Sequence, residues 1–341
     1  MKEPYIALYR KYRPKSFAEV VGQDSAVNLL QGAIKQKKIS HAYLFSGGRG
    51  TGKTTVARIV ARDIGCNDED IIEIDAASNR GIEEIRELRE AVRTAPFSSP
   101  YKVYILDEAH MLTKEAANAL LKTLEEPPAH IVFILATTDP SKLPQTILSR
   151  TQHVHFNEPD VTTLTKQVLH VAKEEGITIS QESAELIARH GKGSYRDALG
   201  MLEQAMSISG KEIKQESLAS FLGEPQGRVL VAIVEALCEK NTKGIVEGIR
   251  SLREEGVDAV RAYDELILCV KYSLFVRVGE KVHLSDKELV QTYERLGKEY
   301  PHTIASKTLL ELLRQRHLLL VSPLHAYTAM SAILLSFVEG E

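Results

Sequence analysis

Three cysteines in 341 residues, Cys66, Cys238 and Cys269, lie far apart in the chain. They offer no ligand spacing for zinc and no disulfide framework, so a reducing compartment, the cytoplasm, is the expected setting. No uninterrupted apolar run approaches the length of a membrane span, and no membrane partner is expected. The opening MKEPYIALYRKYRPK is charged and lacks an apolar core, so it does not read as a secretory signal. An excess of positive charge is missing as well, the formal net charge being −3. A protein that gripped nucleic acid with its whole surface would be basic, so any such contact is a local patch or comes from an assembly. There is no low-complexity tail and no obvious internal repeat. What remains, 43% hydrophobic and 26% charged, fits a soluble globular protein, and the length suits two or three domains.

Up to about residue 157 strand and helix patterns alternate. HAYLFSG (41–47) is a short apolar run ending in glycine, and from Lys53 onward Val56, Ile59, Val60 and Ile64 fall at helical spacing. DIIEIDA (70–76) alternates like a strand, and Ile82, Ile85, Leu88 and Val92 then form a helical stripe. KVYIL (102–106) and IVFILA (131–136) are the nearly uncharged runs of a buried parallel sheet. Between them TKEAANALLKTLEE sets Ala117, Leu120, Leu121 and Leu124 on one face. The order implies a doubly wound α/β domain. Past residue 158 the strand signal fades. Asp160 suits the cap of a helix ending near Gly176, Ser180 that of one ending near Gly191, and Ser194 begins a third, with a short fourth before Gly223. From Glu224 the pattern stays helical, and Gly223-Glu224-Pro225 is the expected boundary.

GGRGTGKT (47–54) fits the phosphate-binding pattern G-x-x-x-x-G-K-[ST] in full, between a predicted strand and a predicted helix. Its glycines let backbone N–H groups turn toward phosphate oxygens, and the helix N-terminus adds partial positive charge. Lys53 is placed to reach the β- and γ-phosphates of ATP, and the Thr54 hydroxyl to ligate Mg²⁺. VYILDEAH (103–110) supplies the acidic half of such a site: Asp107 to hold Mg²⁺, directly or through water, and Glu108 to orient and deprotonate water. A different mix stands in TILSRTQHVHF (146–156). Ser149 has no assigned base, and QHVHF alternates so that His153 and His155 share one strand face. Two histidines with no third ligand make a partly exposed strand the simpler reading than a metal site.

GGRGTGKTT, EIDAASNRGIEEIRELRE, YKVYILDEAHML, NALLKTLEEPP, FILATTDPSKLPQTILSR and GSYRDAL occur in that order. Together with LYRKYRPKSFAEVVGQ they closely resemble the gamma/tau ATPases of the bacterial DNA polymerase III clamp loader, members of the AAA+ class. The dense match covers residues 5–200, and the last third agrees only in length and helical character. The resemblance implies an AAA+ P-loop NTPase core with a parallel sheet over residues 1–159, a small helical lid over 160–223 and an all-helical oligomerising collar over 224–341. It implies an ATP-hydrolysing motor subunit, a component of the polymerase holoenzyme without polymerase chemistry of its own. Its partners would be copies of itself, companion subunits of the delta and delta-prime type, the sliding clamp and primer–template DNA. The clamp would be opened when ATP binds, and hydrolysis would release it on DNA.

Residue by residue, the resemblance assigns nucleotide binding to Gly47, Gly48, Arg49, Gly50, Thr51, Gly52, Lys53, Thr54 and Thr55, with Arg13, Pro14 and Val21 lining the adenine pocket. Thr138 in ATTD matches a polar sensor near the γ-phosphate, and Arg196 in GSYRDAL matches a lid arginine that reports on bound phosphate. Arg150 matches an arginine finger offered to the ATP of a neighbouring subunit. Phe97, in the turn TAPFSSPY, is the expected clamp anchor, and Arg80 and Lys114, near helix starts, are candidate DNA-phosphate contacts. Two departures stand out. The cysteine-rich zinc module of the family is replaced by IGCNDED, so no zinc is expected, and the usual S-R-C triplet reads Ser149-Arg150-Thr151. The chain ends at Glu341, so the activities of the long extension in some relatives are not expected. Two other readings stay open: a nucleotide-binding scaffold without turnover, which the intact Lys53, Thr54, Asp107 and Glu108 disfavour, and another AAA+ motor such as a branch-migration helicase, which ASNRGIEEIRE and TLEEPP disfavour.

Overall fold

The computed structural model describes residues 5–78, 81–222, 227–280, 287–321 and 325–339. Two compact units emerge, one comprising 1–178 with 184–211, the other 179–183 with 212–341. The first therefore holds both the strand-rich region and most of the predicted lid. The predicted boundary at Gly223-Glu224-Pro225 lies outside the described residues, as does Arg80.

The first unit is built on five parallel strands, β1 (Ala42–Gly47), β2 (Ile71–Asp75), β3 (Lys102–Asp107), β4 (Ile131–Thr137) and β5 (Gln152–Phe156), in the order β2-β3-β4-β1-β5. The three central strands are apolar on both faces because both faces are covered. Tyr43 and Phe45 of β1, Val103 and Ile105 of β3, and Val132, Ile134 and Ala136 of β4 turn to one side. There they meet Ala26 and Leu30 of α2 (Asp24–Lys35) and Val56, Ile59 and Val60 of α3 (Lys53–Asp63), past the short N-terminal α1 (Leu8–Lys11). The alternate residues Leu44, Tyr104, Leu106, Phe133 and Leu135 face the other side. That face is covered by Ile85 and Leu88 of α4 (Ile82–Ala91), Ala117, Leu120 and Leu124 of α5 (Lys114–Glu125), and Ile147 of α6 (Gln145–Leu148). The period-two alternation of the strands thus decides which helix each side chain meets. The edge strand β5 buries Val154 and Phe156 and exposes both histidines.

Beyond the sheet come α7 (Val161–Glu174), α8 (Gln181–His190) and α9 (Tyr195–Ser209). Asp160 caps α7 by accepting from the Thr163 N–H, and Ser194 caps α9 by accepting from the Asp197 N–H. Ser180 accepts from the Ser183 N–H at 3.1 Å.

In the second unit, helices α10 (Gln215–Phe221), α11 (Gly227–Cys238), α12 (Thr242–Glu254), α13 (Ala259–Arg277), α14 (Lys287–Glu299), α15 (Ser306–Gln315), α16 (Leu318–Val321) and α17 (Ala326–Glu339) follow one another. Its core gathers Ile233, Ile245, Leu252, Tyr263, Leu296, Leu312 and Met330 around the 19-residue α13. Gly248 lets α12 approach α11 closely, since a Cβ there would sit 2.3 Å from Ile233. Among the described residues no helix is long and apolar enough to cross a membrane.

Candidate active site

The loop between β1 and α3 is shaped by three glycines with positive φ: Gly47 at 151°, Gly50 at 72° and Gly52 at 104°. At Gly47 a Cβ would lie 2.2 Å from the Phe156 carbonyl, and at Gly50 it would lie 2.0 Å from Ser194 Oγ. Side chains are excluded there by close neighbours as well as by φ. Gly52 takes the left-handed conformation immediately before α3, so the helix opens at Lys53. Thr51, fully buried, donates its hydroxyl to the Gly48 carbonyl at 2.9 Å. Lys53 is buried as well, and its Nζ donates to the Gly47 and Gly48 carbonyls at 2.8 and 2.7 Å. Burial lowers the Lys53 pKa, the Glu108 and Asp107 carboxylates oppose that shift, and Arg196 adds to it.

Asp107 ends β3, and both of its oxygens are engaged. Oδ2 accepts from the Thr54 hydroxyl at 2.8 Å, and Oδ1 accepts from the Glu108 N–H at 3.0 Å. A hydroxyl and a carboxylate converging at a helix N-terminus are hard oxygen donors suited to Mg²⁺. Glu108 adopts φ 48° and ψ 43°, an uncommon conformation for a non-glycine residue, which lifts it out of the strand line at the site itself. Its Oε2 accepts from the Thr138 hydroxyl at 3.2 Å, with His110 Nδ1 3.5 Å away. His110 Nδ1 also lies 3.0 Å from the Thr137 hydroxyl. The end of β4 therefore holds the Glu108 carboxylate through Thr138.

An open cleft gathers most of these residues. Its lining includes Arg13, Pro14, Val21, Arg49, Gly50, Thr51, Gly52, Lys53, Thr54, Thr55, Asp107, Glu108 and Arg196. Gly47, Gly48 and Thr138 are not in that lining and stand one contact back, the first two bonded to Lys53 and the last to Glu108. Val21 is well exposed rather than packed into the core. The lining sets the cations Arg13, Arg49, Lys53 and Arg196 against the carboxylates Glu19, Asp107 and Glu108, and Arg13 is pulled below its ordinary pKa first by burial, then by Arg58, with Arg196 adding to the effect. Four cations at the phosphate loop and lid suit a polyphosphate.

The structure also brings in residues that the sequence reading did not single out. Tyr9 and Tyr12 line the cleft, and the Arg196 guanidinium lies 5.7 Å over the Tyr9 ring. Tyr195 ties the lid to two other segments, donating its hydroxyl to the Val21 carbonyl at 2.7 Å and its N–H to the Gly50 carbonyl at 3.1 Å. Burial, then the Asp160 and Asp24 carboxylates, push its phenol up to about 12. Gln23 is almost fully buried, and its amide donates to the Asn157 and Thr51 carbonyls at 2.7 and 3.3 Å while accepting from the Asn157 N–H at 3.1 Å. For Tyr195 and Gln23 the signals were their places within GSYRDAL and VVGQ, beside residues already singled out.

Arg150 stands apart from its own chain's cleft. Its guanidinium meets Glu125 Oε1 at 2.7 Å, the Thr146 carbonyl at 2.9 Å and the Ser149 hydroxyl at 3.2 Å. His153 Nε2 contacts the Leu148 carbonyl and His155 Nδ1 the Ser46 hydroxyl, and no cluster of three or more His, Cys, Asp or Glu suited to a metal occurs among the described residues. Cys66 is buried, donates to the Tyr101 carbonyl at 3.1 Å and is pushed up to about 11, chiefly by burial. Phe97 is 82% exposed rather than folded back, and its loop is fastened by the Asp70 carboxylate, which accepts from the Phe97 and Ser98 N–H groups at 2.7 and 3.0 Å. Lys114 is exposed at the first position of α5.

Residues 22–80 and 68–160 match a family described as DNA polymerase III, delta subunit, and residues 163–211 match the DNA polymerase III clamp loader subunit, ATPase lid domain. The chain is similar to DNA polymerase III subunit tau of Bacillus subtilis, with 38% identity over 336 residues, 92% of this chain and 60% of that protein. It is likewise similar to DNA polymerase III subunit gamma of Buchnera aphidicola, with 38% identity over 278 residues, 74% of this chain and 76% of that protein. The chain thus spans less than two thirds of the longer Bacillus relative. Among solved structures, the Thermotoga maritima RuvB Holliday junction branch migration motor superposes with a TM-score of 0.53 at 20% identity, covering 80% of this chain and 99% of that one. At that identity the likeness is one of fold, an AAA+ P-loop architecture.

Proposed function

The chain belongs to the gamma/tau family of DNA polymerase III subunits, and we propose that it is an ATP-hydrolysing motor subunit of a cytoplasmic clamp loader. In this reading it assembles with copies of itself and companion subunits, opens the sliding clamp when ATP binds and leaves it on primer–template DNA after hydrolysis. The ATPase core spans 1–159, the lid 160–223 and the oligomerising collar 224–341. The observation that carries the reading is the convergence of Lys53, Thr54, Asp107 and Glu108 in one cleft, with Arg150 presented outside it. A scaffold that only held nucleotide would not require Glu108 to be oriented by Thr138.

The glycine-loop amides and Lys53 hold the phosphates, Lys53 exchanging the Gly47 and Gly48 carbonyls for phosphate oxygens. Thr54 and Asp107 hold Mg²⁺, which neutralises phosphate charge when bound. Glu108 accepts a proton from the attacking water as its oxygen bonds to the γ-phosphorus and the bond to the ADP oxygen breaks. Thr138 sets the Glu108 carboxylate, and Arg196, extending from α9 over Tyr9, couples bound phosphate to the lid. Arg13, Pro14 and Val21 receive the adenine. Arg150 completes the site of the adjacent subunit, a contribution worth about 10³–10⁵ in rate, or roughly 4–7 kcal/mol of barrier. Phe97 meets the clamp, and Lys114 contacts DNA phosphate.

The test is the ATPase rate of the purified chain, alone and with companion subunits, clamp and primed DNA. Stimulation by clamp and DNA is expected, and a rate that never responds removes the motor reading. Glu108→Gln should retain ATP binding and lose turnover, whereas Arg150→Ala should retain binding and assembly and lose only stimulated hydrolysis.

A further inference from the structure

Glu125 and Glu126 stand at the C-terminal end of α5, where the helix macrodipole disfavours negative charge. Helix stability alone would place cations there, and a local rule broken at a defined position calls for a reason beyond the helix. Glu125 has one: its Oε1 accepts from the terminal nitrogen Nη2 of Arg150 at 2.7 Å. The other terminal nitrogen, Nη1, is held by the Thr146 carbonyl and the Ser149 hydroxyl. A guanidinium has five N–H donors. These three bonds engage both terminal nitrogens and leave Nε–H and the second N–H of Nη2 for an acceptor outside the chain. The side chain remains 34% exposed, and α6, which precedes Arg150, packs on α5.

We infer that Glu125 is a positioning residue for Arg150: its carboxylate fixes the guanidinium fork before a neighbouring subunit docks, so that the remaining donors meet that subunit's phosphate already oriented. The inference rests on the reading of Arg150 given above. An unrestrained arginine carries large rotamer entropy, and a planar fork that is already fixed loses less of it for each bond it then makes. Glu125 touches no reacting atom in this account. Removing its carboxylate leaves the positive charge of Arg150 in place and releases Nη2 while Thr146 and Ser149 still hold Nη1, so the fork is less fixed and the loss falls on turnover and not on ATP binding.

The experiment uses the assembled complex with clamp and primed DNA, titrated with Mg-ATP. Arg150→Ala comes first: if kcat does not fall, the reading of Arg150 fails and this inference fails with it. Given that fall, Glu125→Ala, which removes the acceptor altogether, should lower kcat about tenfold, the scale of a modest misplacement of a catalytic group, with KM for ATP unchanged. Glu125→Asp, which keeps the charge, should recover part of the loss. Adding Glu125→Ala to Arg150→Ala should cause no further fall, because the two residues act as one unit. A Glu125→Ala complex as fast as the unmodified one, no recovery by Glu125→Asp, or a double variant another tenfold slower than Arg150→Ala would each overturn the inference and leave Arg150's own role standing.

Discussion

Replacing Gln23 by leucine isolates one tie that holds the nucleotide loop in place. Gln23 occupies the N-cap position of α2, yet its side chain makes no cap bond. It reaches instead to Thr51 in the phosphate loop and to Asn157 just beyond β5, making three hydrogen bonds. Gln23→Leu keeps most of the volume and removes all three. A typical hydrogen bond contributes about 0.5–1.5 kcal/mol net, so the set is worth roughly 2–4 kcal/mol. Asn157 is itself exposed, and water replaces part of what its two bonds lose. The expected cost is therefore near the lower bound, about 2 kcal/mol. For a domain of this size that corresponds to a fall in Tm of about 4–8 °C. Because Thr51 lies in the phosphate loop, affinity for a non-hydrolysable ATP analogue should fall as well. Thermal melting followed by circular dichroism, and equilibrium titration of the analogue, measure the two effects. A Tm within about 1 °C of the unmodified protein, together with unchanged affinity, would refute the reasoning.

Two further outcomes follow from single contacts. Gly50→Ala puts a Cβ at φ 72° and 2.0 Å from Ser194 Oγ, the cap of α9. Left-handed strain of about 1–2 kcal/mol and a weakened cap of about 1 kcal/mol should lower both Tm and nucleotide affinity, and calorimetry showing neither would count against the close approach of lid and loop. Asp70 is the second case. Burial pushes its carboxyl up, but the Ser98 and Phe97 N–H groups and Ser99 outweigh burial and hold it below the usual value. The folded protein then binds fewer protons at this site than the unfolded chain, so the contribution is present above the unfolded value of about 3.9 and lost as pH falls through the folded one. Asp70→Asn should therefore flatten the loss of stability on acidification below about pH 5, and parallel urea-denaturation profiles for the two proteins would contradict it.

Much of the candidate site was legible because its signals are local. GGRGTGKT between an apolar run and a helical stripe, and VYILDEAH ending a second run, are contiguous strings, and β1, α3 and β3 form where their periodicities put them. Asp160 and Ser194 cap their helices through neighbours three residues away, a relation the chain carries in its own order. Other features were not legible for the complementary reason. Gln23 meets Asn157 only because β5 pairs with β1, and Tyr195 meets the Val21 carbonyl only because the lid folds back over the N-terminal segment. No period or spacing encodes those meetings.

The division between the two is physical. By itself the sequence determined which stretches bury apolar surface on two faces, where helices begin, and which residue types offer phosphate and magnesium ligands, since each depends on neighbours within a turn or a strand. Tertiary structure alone decided that Thr138 bonds Glu108, that Thr54 bonds Asp107, and that Arg150 is fastened to Glu125 outside its own cleft. These hydrogen bonds join residues brought together by strand order and helix packing. Their geometry exists only once the sheet has assembled.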